Sequence, residues 1–279
     1  MRISPRYEGP PLLVMPAPAD DPSVPMLRQR RRLAALVEGL DEWQWAAQSR
    51  CDEWTVRDVI AHLVTVDQYW ALSIGAGLAG TPTRFLESFD PTATPAQLVD
   101  AMTDTPADVL AKFVAGIEQL ADVLTGLDAE RWAMLAESPP GHVPLHTLVR
   151  HALWDAWIHE RDIALPLGLS TVEEPDEIAL SLEYAAALSP MFLAMHGSAR
   201  TGTLVVDGTD PATHVVVELG TTVVVRYDGD APADAVRLAG PSAGLTDALS
   251  LRAPFPCDVD DDGRWMLTGL ATAFDQVSP

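Results

Sequence analysis

The sequence predicts a mainly α-helical protein that ends in a small α+β domain. Apolar residues recur at helical spacing through the first two-thirds of the chain, and short β-branched runs separated by turn residues then take over near residue 199. The 279 residues, 48% of them hydrophobic, are enough for a real core. The expected divisions are an extended N-terminal arm at 1–22, a helical domain at 23–198 and the α+β domain at 199–279.

The opening MRISPRYEGPPLLVMPAPADDPSVP has no sustained apolar stretch, and its prolines would break a signal helix, so it reads as an extended arm or a partly ordered tail. MLRQRRRLAALVEGL (26–40) places Leu33, Leu36, Val37 and Leu40 at helical spacing. The next helix follows CDEWTVRDVIAHLVTVDQYWALSI, where Thr55 and Asp58 form a capping-box pattern and Val59, Leu63, Val66 and Trp70 an inner stripe. After a Gly/Thr/Pro-rich loop at 75–94, a third helix is expected over 95–126, bent or interrupted at Pro106. ESPPGHVP (137–144) reads as a loop, and its last proline opens a fourth helix to about residue 164. A fifth begins at EPDEIALS, with acids suited to a helix N-terminus. TGTLVVDG, THVVVELG and TTVVVRYDG read as a meander, ADAVRLAG as a fourth strand, and PSAGLTDALSL and DGRWMLTGLATAFDQ as helical.

Composition excludes several functions. A net charge of −22 opposes binding to nucleic acid or to anionic membrane. No apolar run approaches the ~20 residues that span a bilayer. Cys51 and Cys257 lie far apart in a chain without an export signal, so a reduced, cytoplasmic protein with no disulfide framework is expected. No glycine-rich dinucleotide fingerprint, P-loop or G-x-S-x-G elbow is present.

The chemistry concentrates in HALWDAWIHERDI (151–163). His151, Asp155 and His159 stand four residues apart, and Asp155 and His159 occupy a stripe where a bundle helix normally carries leucine. A buried carboxylate costs several kcal/mol unless it is paired or holds a cation. On the second helix His62 flanks the buried stripe of Val59 and Val66. His62, Asp155 and His159 thus make a two-imidazole, one-carboxylate set suited to catalytic zinc with open positions, and equally to non-haem iron or nickel. A satisfied core histidine and an intrahelical Asp–His pair would account for the same residues without a metal. His151 is expected to orient Asp155 or a substrate, and Cys51 reads as a packing residue with no histidine placed to activate it.

CDEWTVRDVIAHL and HALWDAWIHERDIALPLG resemble the DinB-like superfamily, and within it the mycothiol-dependent maleylpyruvate isomerase family. ADAVRLAGPSAGLTDALSL resembles that family's small C-terminal domain, itself likened to sterol-carrier proteins. The resemblance implies a DinB-like four-helix bundle holding a divalent metal, zinc, through His62, Asp155 and His159. It also implies a thiol cofactor, mycothiol, whose sulfur lies near the metal, and a small, anionic electrophile as substrate. Relatives commonly carry Glu where this chain has the shorter Asp155. Arg252 matches a C-terminal-domain arginine used in catalysis, though the helix dipole alone would favour an arginine there; Arg226 and Arg237 are weaker candidates. The expected activity is thiol-dependent isomerisation or S-conjugation. A small-molecule binding protein and a thiol-independent metal hydrolase or lyase remain as alternatives.

Overall fold

The computed structural model describes residues 4–87 and 90–274. In chain order its elements are β1 (Leu13–Val14), α1 (Ser23–Glu38), α2 (Glu42–Trp45), α3 (Val56–Leu78), α4 (Ala93–Ala101), α5 (Pro106–Leu124) and α6 (Ala129–Trp132). The hairpin strands β2 (Leu135–Ser138) and β3 (Gly141–Pro144) follow, then α7 (Leu145–Ala164) and α8 (Pro175–Met195). The C-terminal part contains β4 (Gly202–Thr209), β5 (Thr213–Leu219), β6 (Val223–Arg226), β7 (Val236–Pro241), α9 (Ser242–Leu249), a 3₁₀ turn (Arg264–Leu267) and α10 (Gly269–Ala273).

Helices α1, α3, α5 and α7 pack as the expected four-helix bundle. Leu33 and Val37 of α1, Ile60 and Leu63 of α3, Phe113 and Ile117 of α5, and Ala156 and Ile163 of α7 meet in its core. Thr55 and Asp58 close both bonds of the capping box that starts α3, which fixes where His62 falls two turns later. The helix expected over 95–126 is two helices. Thr105 caps a fresh start at Asp108 N–H with Pro106 in the first turn, where its missing donor costs nothing.

Two expectations are corrected. The segment at 137–144 is a hairpin, with Glu137 opposite His142 and Ser138 opposite Gly141. The N-terminal arm is extended, but it is no loose tail: Leu12, Leu13 and Met15 are buried and β1 pairs in parallel with β6. The arm also crosses the hairpin so closely that a Cβ at Gly141 would lie 2.0 Å from the Arg6 carbonyl oxygen. Glu137, fully buried, ties this region to the loop after α3. It accepts hydrogen bonds from Tyr7 (2.6 Å), Thr83 (2.7 Å) and the Phe85 and Leu86 amides (2.8 and 2.7 Å). Dense donation of this kind stabilises the charged form, and it outweighs the opposing cost of burial to hold the carboxyl below its usual range.

The sheet runs β1-β6-β5-β4-β7, antiparallel through the expected β4–β5–β6 meander and parallel at both edges. Helix α8 lies between sheet and bundle, packed on β5 and β6 and against α7, α9 and α10. By length and composition α8 could cross a membrane, contrary to the sequence expectation, yet 72% of its most apolar window is buried within the protein. That burial accounts for its apolarity: one side faces the sheet and another faces the bundle.

Candidate active site

A cavity of about 1130 Å³ opens where the bundle meets α8 and the C-terminal part. His62 and Trp70 of α3, His151, Trp154, Asp155 and His159 of α7, and Arg252 after α9 all line it. Its far wall is apolar, with Leu188, Met191 and Phe192 of α8 facing Leu270 and Phe274. The polar stripe on α7 therefore borders a cavity.

The three sequence-predicted ligands converge. His62 Nε2 lies 3.8 Å and His159 Nε2 3.6 Å from Asp155 Oδ1, and all three ligand atoms fall within 4.8 Å of one another. Among the described residues, Asp155 Oδ2 and His62 Nδ1 are buried without a hydrogen-bond partner. Burial works against the Asp155 carboxylate, but the close imidazoles of His62 and His159 outweigh it and hold its pKa well below the usual range. His159 responds in the opposite sense. Burial disfavours its imidazolium, but Cys51, the hydrogen bond to Asp162 and the charge of Asp155 raise its pKa to about 10. The surroundings of the ring thus favour positive charge, with Cys51 and Asp162 on the Nδ1 side and Asp155 on the Nε2 side. The donor set, its spacing and the orphaned carboxylate oxygen fit a three-ligand metal site.

A second layer lies behind His159, and sequence reasoning gave it no role. Asp162 Oδ2 accepts the His159 Nδ1–H at 3.0 Å, which directs Nε2 toward the other two ligands. Its Oδ1 accepts from Arg50 Nε at 2.9 Å and from Arg252 Nε at 3.0 Å. Arg50 and Arg161 both reach Asp247 at 2.9 Å, locking α7 to α9. The available signal was spacing: Asp162 follows His159 by three residues, which on a helix is one face.

Arg252 borders the cavity as expected, aimed there by Leu251, whose left-handed backbone (φ 62) turns the chain sharply after α9. Its Nε is committed to Asp162, while Nη2 lies 3.5 Å from Cys51 Sγ. Arg226 pairs with Glu218 and Arg237 is exposed; neither lines the cavity. Cys51 is more than a packing residue. Its thiol donates to Asp162 Oδ2 at 3.1 Å and lies 3.7 Å from His159 Nδ1, contacts that sequence distance concealed. Among the described residues no hydrogen bond joins His151 to Asp155; its Nδ1 lies 2.8 Å from the Tyr184 hydroxyl and 3.3 Å from that of Ser138.

A helical bundle that gathers two imidazoles and a carboxylate from α3 and α7 onto a cavity wall presents a candidate ligand set of the kind that bundle cores build. Residues 26–164 match the model of the mycothiol maleylpyruvate isomerase N-terminal domain, and through this segment the chain belongs to that family. The fold is similar to a crystal structure of the mycothiol-dependent maleylpyruvate isomerase, with a TM-score of 0.60 at 15% identity over 85% of this chain and 90% of that one. A mutant of that enzyme gives a TM-score of 0.61 at the same identity and coverage. Comparison with curated proteins found no match.

Proposed function

We propose that the chain is a metal-dependent enzyme that uses mycothiol to isomerise or S-conjugate a small, anionic electrophile. The observation that carries this reading is the convergence of His62, Asp155 and His159 beside the cavity, with a carboxylate oxygen left unpartnered. The family's printed name and the solved relatives support thiol-dependent isomerisation in particular.

In this mechanism His62, Asp155 and His159 would hold zinc through Nε2, Oδ1 and Nε2, and Asp162 fixes the tautomer of His159. A bound divalent ion supplies the means to keep a thiol deprotonated at neutral pH, where a free thiol of pKa ~8.5 is mostly protonated. Arg252 holds its guanidinium against Asp162 and offers its remaining N–H groups to an anionic part of the substrate. The apolar wall of Leu188, Met191 and Phe192 excludes water from the reacting face.

The test combines elemental analysis with turnover of maleylpyruvate. Purified protein should carry about one transition metal per chain, and turnover should require mycothiol. His62→Ala should lose both metal and activity. Full turnover by that variant without metal, or equal rates with and without the thiol, overturns the reading. A thioether product in place of the trans isomer assigns S-transfer.

A further inference from the structure

We propose that His151 is a catalytic residue whose Nε2–H donates a hydrogen bond to the carbonyl oxygen of a conjugated, unsaturated carbonyl substrate. The inference rests on the proposed function and adds a catalytic residue to the same cavity.

The tautomer follows from hydrogen accounting. Two hydroxyl groups, Tyr184 at 2.8 Å and Ser138 at 3.3 Å, converge on Nδ1. Both protons find an acceptor within this trio when Nδ1 carries the lone pair, which places the ring proton on Nε2. Among the described residues Nε2 makes no hydrogen bond, although the side chain is nine-tenths buried and borders the cavity. Nε2 is thus left free to donate in a residue that lines the cavity. The ring is clamped by Trp70 (4.9 Å), Tyr184 (4.9 Å) and Trp154 (5.6 Å), so the donor is held in place. Burial lowers its pKa to about 4, which keeps it a neutral donor at pH 7.

Position supplies the rest. His151 precedes Asp155 by four residues on α7, so their Cβ atoms are neighbours at roughly 5–6 Å along the cavity wall. When a nucleophile adds to the double bond of an α,β-unsaturated carbonyl compound, one bond forms to carbon and the π pair moves onto the carbonyl oxygen. Its departure returns the pair and restores the double bond. His151 transfers no proton; its Nε2–H stabilises the charge while that charge exists, as oxyanion donors do.

The decisive experiments are ¹⁵N NMR of the histidine-labelled wild-type protein and kinetics with mycothiol and maleylpyruvate. The spectrum should show His151 protonated at Nε2 and bare at Nδ1. His151→Phe should lower kcat about 100-fold with KM nearly unchanged and metal content and melting temperature retained. His151→Gln, which restores an N–H donor, should recover most of that loss. A proton on Nδ1 overturns the proposal, and so does a well-folded His151→Phe that keeps wild-type kcat. Absence of thiol-dependent turnover in the wild type defeats the proposed function, and this role with it. Thiol-dependent turnover that is indifferent to residue 151 defeats this role alone.

Discussion

Asp162→Asn tests the layer behind the ligands, because one carboxylate there serves His159, Arg50, Arg252 and Cys51 at once. Asparagine has nearly the same shape but only one oxygen and no charge. If that oxygen faces Arg50 and Arg252, its NH₂ meets His159 Nδ1, which must then accept and move its proton to Nε2, inside the ligand set. If the amide turns over, NH₂ faces two guanidinium groups that donate in the same direction. The first arrangement weakens metal binding, and loss of such a supporting carboxylate costs about 10- to 100-fold in affinity, or about 1.4–2.7 kcal/mol. The second leaves cations unpaired around a fully buried position, at a cost of about 3–5 kcal/mol in stability. Competition with a chromophoric zinc chelator reads the first, and urea denaturation of the metal-free protein reads the second. Arg252→Gln supplies the control, since it spares the bond between Asp162 and His159 and should leave zinc affinity close to wild type. A folded Asp162→Asn protein that binds zinc as tightly as wild type and unfolds at the same urea concentration would refute the reasoning.

Three further outcomes are expected. Leu13→Ala should destabilise the protein by about 2–5 kcal/mol in chemical denaturation, because Leu13 is wholly buried; a loss under ~0.5 kcal/mol, the range of ordinary surface changes, would mean that the arm is a dispensable tail. Asp67→Ala removes the partner of Arg30, which holds it at 2.8 Å in a pair with no solvent exposure on either side, and should cost about 3–5 kcal/mol. A well-folded variant of unchanged melting temperature would argue against that burial. Acidification should weaken the fold between pH 6.5 and about 4. Burial first, and then Arg150, depress the His146 pKa from 6.5 to about 4, and burial does the same for His151. The unfolded chain binds protons in that window while the folded chain does not, so stability is full above 6.5 and falls toward 4. His159, with its pKa raised to about 10, contributes stability that is already complete below 6.5 and adds no slope there. Urea midpoints at pH 7 and pH 5 measure the effect, and His146→Gln should flatten it; a flat wild-type profile would contradict the assignment.

What the sequence made legible is what periodicity and local chemistry encode. The bundle, the capping box at Thr55 and the meander are written in runs of neighbouring residues. Three candidate ligands could be paired across α3 and α7 because each sits on an apolar face where its type is out of place. The parts that stayed hidden depend on contacts between distant segments. Cys51 and His159 are 108 residues apart, and Arg50 and Asp247 are 197 apart; no helical or strand period links them. The hairpin at 137–144 was hidden for another reason. Its prolines and glycine are turn residues, and its strands are stabilised by Glu137 receiving donors from the arm and the loop after α3, a tertiary effect that overrides local propensity.

The distribution of charge around α7 also bears on why its stripe is polar. Arg50 and Arg252 converge on Asp162, and Arg50 and Arg161 on Asp247, so the arginines behind His159 are drawn to acids other than Asp155. Asp155 stands one helical turn from His159, and among the described residues no arginine reaches it; its neighbours are imidazoles, and one of its oxygens has no partner there. A site selected only to tie α7 to α3 and α9 would gain by pairing the Asp155 carboxylate with a permanent cation, as Arg30 does for Asp67 elsewhere in the same bundle. Keeping guanidinium away from Asp155 while surrounding it with neutralisable nitrogen ligands preserves a place for an exchangeable cation. That contrast between a wholly buried aspartate and one that borders the cavity supports reading the polar stripe as a metal site opening onto the cavity.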